Sequence, residues 1–209
     1  MSASELLRHY LDECPLVAIL RGVTPGEAEA IGAAIHEAGI RIIEVPLNSP
    51  NPLKSIELLA KKFGDHALVG AGTVLDPTDV GRVWDAGGRI IVSPDANVEV
   101  IAATAAIGLV SSPGYFTPSE AFLAIRAGAT ALKLFPAEAA TPAVLKAQLA
   151  VIPKTVPVMV VGGVKPDTMQ PWLEAGATGF GLGGGLYKPG QSPAETLEKA
   201  RSYVAGLGA

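Results

Sequence analysis

The sequence predicts a (β/α)8 TIM barrel with an N-terminal helix, built as a single domain over residues 1–209, and three observations carry that prediction. Short runs rich in β-branched and apolar residues recur at intervals of roughly 20 to 26 residues, the length of one strand, one helix and two short loops. Eight such runs can be counted, and the stretches between them repeatedly begin on a proline and close on an Ala-Gly pair. The composition, 49% hydrophobic and 17% charged with a mean hydropathy of +0.37, suits strands covered on both faces.

The chain opens on Met-Ser-Ala-Ser-Glu-Leu-Leu-Arg-His-Tyr-Leu-Asp-Glu, which reads as an amphipathic helix with Ser4 as its cap. Its charges are spread throughout, so it lacks the apolar run of a signal peptide or a membrane span. Strands are then expected over Leu16–Leu20, Ile40–Val45, Leu68–Gly72, Arg89–Val92, Gly108–Ser112, Ala131–Phe135, Val158–Val161 and Gly179–Leu182. The helices that alternate with them are expected over Pro25–Ala38, Pro52–Phe63, Pro77–Ala86, Val98–Ile107, Pro118–Arg126, Pro142–Ala150, Pro166–Ala175 and Pro193–Leu207. A proline in the first turn is harmless because that N–H has no intrahelical partner, and its fixed φ favours the helix. Thr24, Thr117 and Thr141 stand as caps before three of these prolines. Ala38-Gly39, Ala86-Gly87, Ala127-Gly128 and Ala175-Gly176 end helices where a left-handed C′ residue is needed.

Such a series folds either as a closed eight-stranded barrel or as an open doubly wound sheet. The count of eight favours the barrel. Polar and special residues also gather at the strand ends, at Arg21, Glu44, Thr73, Pro94, Pro113, Lys133 and Gly162-Gly163, and a barrel builds its site at that C-terminal face.

The net charge of -4 provides no basic footprint for nucleic acid or an anionic membrane. Any phosphate site must therefore be local. Cys14 is the only cysteine, so no intrachain disulfide and no Cys-based zinc site can form, and a reducing cytoplasm is the default compartment. His9, His36 and His66 form no HxH or HxxxH pair, so no metal is expected. Trp84 and Trp172 read as packing anchors on helices.

Lys133 stands in Ala-Leu-Lys-Leu-Phe-Pro, a strand whose alternation turns it into the barrel interior. Burial disfavours an ammonium and lowers its pKa, which makes a lysine nucleophilic toward a carbonyl near neutrality. The bland alternative is a lysine that snorkels to the barrel mouth or pairs with a buried carboxylate. Glu44, in Ile-Ile-Glu-Val-Pro-Leu, points inward by the same parity and can move protons directly or through a water; the alternative is a structural salt bridge to Arg21 or Lys133. Arg21 offers a planar fork for a carboxylate or phosphate, unless a neighbouring acid takes it. Gly162-Gly163 and the run Gly181-Leu-Gly-Gly-Gly185 follow the last two strands, where barrels often cradle a phosphate on backbone amides.

Ala-Ile-Leu-Arg-Gly at 18–22, Glu-Val-Pro-Leu-Asn-Ser-Pro at 44–50, Gly-Ala-Gly-Thr-Val at 70–74, Leu-Lys-Leu-Phe-Pro-Ala-Glu at 132–138 and Val-Gly-Gly-Val at 161–164 together resemble the KDPG/KHG aldolase family, and the resemblance spans nearly the whole chain. It implies a class I (β/α)8 aldolase, usually homotrimeric, with no cofactor. Its substrate would be a phosphorylated keto-deoxy sugar acid, cleaved to pyruvate and D-glyceraldehyde 3-phosphate.

Carried over residue by residue, the resemblance makes Lys133 the Schiff-base lysine and Glu44 the general acid/base. Arg21 and Thr73 would contact the anionic substrate, Pro94 and Phe135 would wall the pyruvyl part, and the amides of Gly162, Gly163, Gly183 and Gly184 would hold the phosphate. The family often has a serine at the position of Gly184. The branch that acts on the gluconate epimer typically has arginine where Asn48 stands and threonine where Val161 stands, so this chain carries the choices of the galactonate epimer. Ser112-Pro113-Gly114-Tyr115-Phe116-Thr117 departs from the small Ala-Thr-rich loop seen often in relatives, which leaves the shape of that wall open. The other readings are cleavage of the gluconate epimer or of both, a non-catalytic or isomerase barrel that binds a sugar phosphate, and a metal-dependent aldolase whose ligands the sequence does not supply.

Overall fold

The computed structural model describes residues 1–208. Helix α1 (Ala3–Glu13) comes first. Strands β1 (Leu16–Ile19), β2 (Ile42–Pro46), β3 (Leu68–Gly72) and β4 (Ile90–Val92) follow, each succeeded by a helix: α2 (Pro25–Glu37), α3 (Pro52–Phe63), α4 (Pro77–Asp85) and α5 (Val98–Ala106). Next are β5 (Val110–Ser112), β6 (Gly114–Tyr115), α6 (Pro118–Ala127), β7 (Leu132–Leu134) and α7 (Pro142–Leu149). The chain continues through β8 (Val158–Val161), α8 (Gln170–Glu174), β9 (Gly179–Leu182) and α9 (Pro193–Gly206).

All the pairings are parallel, in the order β5-β4-β3-β2-β1-β9-β8-β7-β6. The strand expected over Gly108–Ser112 is present as Val110–Ser112, and a further short segment not expected from the sequence, Gly114–Tyr115, follows Pro113, which has no N–H to give to the ladder. β5 and β6 are the two ends of the sheet and also one continuous stretch of chain, so the sheet closes on itself. The amides of Ala131 and Lys133 donate to the carbonyls of Ser111 and Pro113 at 3.0 and 2.9 Å, which completes the seam. The molecule is thus the eight-unit barrel that the spacing predicts.

Strand alternation sorts the apolar residues into two cores. Leu16, Ala18, Ile43, Val45, Val69, Ala71, Leu132, Leu134, Val160 and Phe180 face outward under the helices. Val17, Ile42, Leu68, Ile90, Val110, Ala131 and Met159 fill the interior, and Leu7, Tyr10 and Leu11 of α1 join them. Helix α1 is therefore a plug for the N-terminal end of the barrel. Its cap is Ser2 rather than the expected Ser4: Ser2 and Glu5 form a reciprocal capping box, with Ser2 N donating to Glu5 Oε2 at 2.8 Å.

Thr117 and Thr141 accept amide hydrogens at their helix starts, whereas the Thr24 hydroxyl donates to Glu27. The four Ala-Gly glycines all have positive φ, between 87° and 104°. The expected helix over Pro166–Ala175 is split into a 3-10 turn, Pro166–Thr168, and the short α8. Trp172 is buried as expected, but Trp84 is 42% exposed and carries the Arg89 guanidinium 4.0 Å above its ring, so only one of the two tryptophans anchors the core. Among the described residues no helix is long and apolar enough to cross a membrane.

Candidate active site at the C-terminal end of the barrel

A cavity of about 460 Å³ opens at the C-terminal ends of the strands. That volume is in the range of a small-molecule site. Its wall includes Arg21, Thr73, Pro94, Lys133, Phe135, Val161, Gly162, Gly163, Gly183 and Gly184, which the sequence scatters over more than 160 residues. Of the site residues expected from sequence, Glu44 alone is absent from this wall. It lies one layer deeper, in a void of about 10 Å³ bounded also by Val17, Ile19, Val92, Ser112 and Lys133. Lys133 belongs to both spaces and joins them.

Lys133 is 7% exposed, and its Nζ lies 4.9 Å from the centre of the Phe135 ring. Burial lowers its pKa, nearby Arg21 lowers it further, and the Glu44 carboxylate opposes both. Glu44 is 2% exposed, and desolvation raises its pKa from the usual 4.5 to about 7 against the pull of Lys133 and Arg21. Neither bland alternative describes the pair. Lys133 is nearly buried in the floor of the cavity rather than extended to its mouth, and no direct ion pair joins Glu44 to Lys133 or Arg21 among the described residues. Glu44 Oε2 has no hydrogen-bond partner at all. A carboxyl titrating near 7 beside a suppressed amine is suited to passing protons in both directions at neutral pH.

Strand β3 makes room for that carboxyl. Gly72 stands directly beneath it, and any Cβ there would overlap the carboxylate oxygens. The next residue, Thr73, has φ +54°, a left-handed conformation that a β-branched side chain adopts only at a cost of roughly 1–3 kcal/mol. The strain sits where β3 stops and the chain turns Thr73 into the cavity wall.

Arg21 is exposed at the rim, and its Nη1 donates to Asn48 Oδ1 at 2.9 Å. Its partner is therefore a neutral amide rather than the acid that the alternative reading required. Nearby, the Gly22 amide donates to the buried Ser49 hydroxyl at 2.9 Å, tying the loop after β1 to the loop after β2.

At the far side, Gly162 and Gly163 have φ of 119° and 62°, so the β8 turn needs glycine there. The Glu138 carboxyl lies over both, close enough to exclude a Cβ. Gly183 and Gly184 have open space beside them, and Lys165 completes that part of the wall. Sequence reasoning missed Glu138, Lys165, Gly72 and Ser112 as parts of the site. Glu138, Gly72 and Ser112 were within reach, since they lie in the Leu132–Glu138 and Gly70–Val74 motifs and at the start of the Ser112–Thr117 loop, but nothing local marks Lys165.

The loop that departs from the common pattern has its own support. Tyr115 OH donates to Gln148 Oε1 at 3.0 Å, and Gln148 Nε2 donates to the Phe116 carbonyl at 2.8 Å, so α7 holds the wall after β6 in place.

The sequence profile described as "KDPG and KHG aldolase" matches residues 7–198. The chain belongs to the KDPG and KHG aldolase family. One aldolase of that family, the 2-dehydro-3-deoxy-6-phosphogalactonate aldolase of Escherichia coli K12, is 45% identical over 190 residues, which cover 91% of this chain and 93% of the relative. A solved structure described as native KDPGal superposes with a TM-score of 0.92 at 44% identity, covering 93% of this chain and 95% of that one. The KDPG aldolase of Legionella pneumophila, solved with pyruvate captured as a covalent carbinolamine, superposes with a TM-score of 0.81 at 27% identity over 93% of this chain and 95% of its own.

Proposed function

We propose that this aldolase cleaves 2-dehydro-3-deoxy-6-phospho-D-galactonate to pyruvate and D-glyceraldehyde 3-phosphate through a Schiff base on Lys133. One observation carries the reading: an amine and a carboxyl are buried together under an open cavity, with the first pushed toward its neutral form and the second toward a pKa of about 7.

Neutral Lys133 attacks the C2 ketone, and Glu44 supplies the proton with which the carbinolamine hydroxyl leaves as water. The Glu44 carboxylate then accepts the proton of the C4 hydroxyl while the C3–C4 bond breaks. The electron pair of that bond flows into the iminium to form an enamine, and glyceraldehyde 3-phosphate departs. The enamine is protonated at C3, and water returns to C2 to free pyruvate and the amine. The carbinolamine captured in the Legionella pneumophila relative supports the covalent route.

Arg21 and Thr73 hold the substrate's anionic and hydroxyl groups, Pro94 and Phe135 bound the pyruvyl end, and the amides of Gly162, Gly163, Gly183 and Gly184 hold the phosphate. The epimer reading is supported by the name of the Escherichia coli relative and by Val161, an apolar wall where a hydroxyl would discriminate at C4. We also read residues 1–209 as one unit that works as a homotrimer in the cytoplasm. Exposed Leu75 and Val98 support an apolar contact between copies, and the buried, unpaired Cys14 suits a reducing compartment.

Incubating the protein with pyruvate and borohydride tests the core of the reading. Reduction is expected to leave a stable adduct on Lys133 and none on Lys133→Ala; an unlabelled wild type, or equal labelling of the variant, refutes it and leaves the non-catalytic sugar-phosphate barrel. The ratio of kcat/KM on the galactonate and gluconate epimers, expected to favour the first, decides between the substrates.

A further inference from the structure

Among the described residues, the wall of the large cavity holds one acid, Glu138, and the chemistry proposed for the site gives it no task. Glu138 stands in the 3-10 turn Ala137–Ala139, which follows β7, the strand that carries Lys133. The backbone fixes that turn. The Ala139 amide donates to the Pro136 carbonyl at 3.1 Å, the Ala140 amide donates to the Ala137 carbonyl at 3.0 Å, and Ala137 is buried. The carboxyl takes space that side chains at Gly162 and Gly163 would fill, as the Glu44 carboxyl does above Gly72. Lys133 is level with Met159, so Gly162 and Gly163 lie three and four residues nearer the barrel mouth. The fold thus clears room for an acid at two heights, one beside the amine and one beside the glycine turn.

Two ordinary roles do not account for this acid. Glu138 is exposed, and among the described residues no hydrogen bond or ion pair joins its carboxyl to the turn or to Lys165, the cation of the same wall. A structural brace would make such bonds. A carboxylate does not help a phosphate cradle either, because like charges at close range disfavour the bound anion. An ionised carboxylate only accepts hydrogen bonds, so the partner it suits is a donor.

In the reading given above, on which this step rests, C2 of the substrate is bonded to Lys133 and the phosphate is esterified at C6. The carboxylate and phosphate of that substrate are acceptors, and its donors are the hydroxyls at C4 and C5. Glu44 takes the C4 proton, deep in the barrel. The C5 hydroxyl remains, on the carbon next to the one that bears the phosphate, and it arrives beside the turn over which Glu138 lies. We propose that the Glu138 carboxylate accepts a hydrogen bond from this C5 hydroxyl, which is the C2 hydroxyl of the departing glyceraldehyde 3-phosphate, and so selects the D configuration there.

The test compares two aldehydes in condensation with pyruvate: D-glyceraldehyde 3-phosphate, and 3-oxopropyl phosphate, which has the same length and lacks that hydroxyl. Glu138→Leu removes the acceptor from an exposed position. In the wild type, loss of the hydroxyl is expected to lower kcat/KM roughly 10- to 100-fold, the range of a hydrogen bond to a charged group. In Glu138→Leu the same loss should lower it no more than about 2-fold, because the partner is already gone. Glu138→Gln keeps an acceptor without the charge and should fall between the two. L-glyceraldehyde 3-phosphate should be a poor substrate of the wild type and gain on the D form in Glu138→Leu. Inorganic phosphate, a probe of the cradle alone, should inhibit Glu138→Leu at least as well as the wild type, whereas collapse of the turn would weaken that inhibition. Equal dependence on the hydroxyl in wild type and Glu138→Leu overturns the proposal, as does an equal loss on both aldehydes with weakened phosphate inhibition. If the wild type neither condenses pyruvate with either aldehyde nor is trapped by borohydride, the Schiff-base reading itself fails. If Glu138→Leu does not fold, Glu138→Gln is judged by the same ratio of aldehydes.

Discussion

At the N-terminal end of the barrel, Leu7, Tyr10 and Leu11 of α1 fill the space between Val17, Ile42, Leu68, Ile90, Val110 and Ala131. Two residues further along three of the same inward faces, Ile42 gives way to Glu44, Val110 to Ser112 and Ala131 to Lys133, beneath an open cavity. The same strands run to both ends, and what differs is the α1 plug at one and the chemistry of the inward residues at the other. One end is sealed and spends its burial on stability, and the other accepts buried polar groups that cost stability. Size does not distinguish them. A groove of about 520 Å³ lies at the sealed end among α1, α3 and α4, yet its charged residues Glu57, Lys61, Asp65, Asp85 and Arg89 are all exposed.

Four substitutions or conditions should break or sharpen this contrast. Glu44→Gln keeps the shape of the polar end and removes its proton carrier, so kcat should fall roughly 100- to 10,000-fold with the fold intact by circular dichroism. A kcat within a few-fold of wild type would remove Glu44 from the mechanism. Leu7→Ala acts at the sealed end, where the lost side chain is 1% exposed, and should cost about 2–5 kcal/mol in urea unfolding. Its kcat, measured well below the unfolding midpoint, should remain that of wild type; a matching drop would mean that the two ends are coupled.

The pH dependence of stability is the third. A carboxyl that titrates at about 7 in the fold and at 4.5 in an unfolded chain binds its proton more tightly in the native state. Between those two values the native protein holds more protons than the unfolded chain, so Glu44 reduces stability progressively as pH rises through that window. Glu44→Gln should therefore be more stable than wild type at pH ~8, by at most roughly 3 kcal/mol, and equal to it below pH ~4.5. Equal stabilities at both pH values would show that the carboxyl is not held in its neutral form. The smallest effect is expected at the rim. Lys165→Gln removes an exposed cation beside the glycine turn, worth no more than about 1 kcal/mol, and should raise KM about 2- to 5-fold with kcat unchanged. An unchanged KM would mean that the backbone amides alone hold the phosphate.

Much of the fold was legible because its signals are local. Proline at a helix start, glycine after a helix end and alternation along a strand each act within a few residues, and they located the eight units with boundaries off by at most two positions, except that the helix expected from Pro166 begins at Gln170. The inward direction of Lys133 and Glu44 followed from the same alternation. The cap of α1 was misplaced by two residues, because Ser2 and Ser4 both suit a cap and only the position of Glu5, three after Ser2, separates them. The break at Pro113 was visible as a proline but not as a break, since a proline can also simply end a strand.

By itself, the sequence determined which residues face inward and where most helices start and stop, because these depend on chirality, period and neighbours along the chain. Only the tertiary structure decided that α1 plugs one end, that Gly72 yields its space to Glu44, that Arg21 is held by Asn48, and that Ser112 shares a void with an amine and an acid. Those relations join residues far apart in the chain, and no local rule encodes a distance across a barrel.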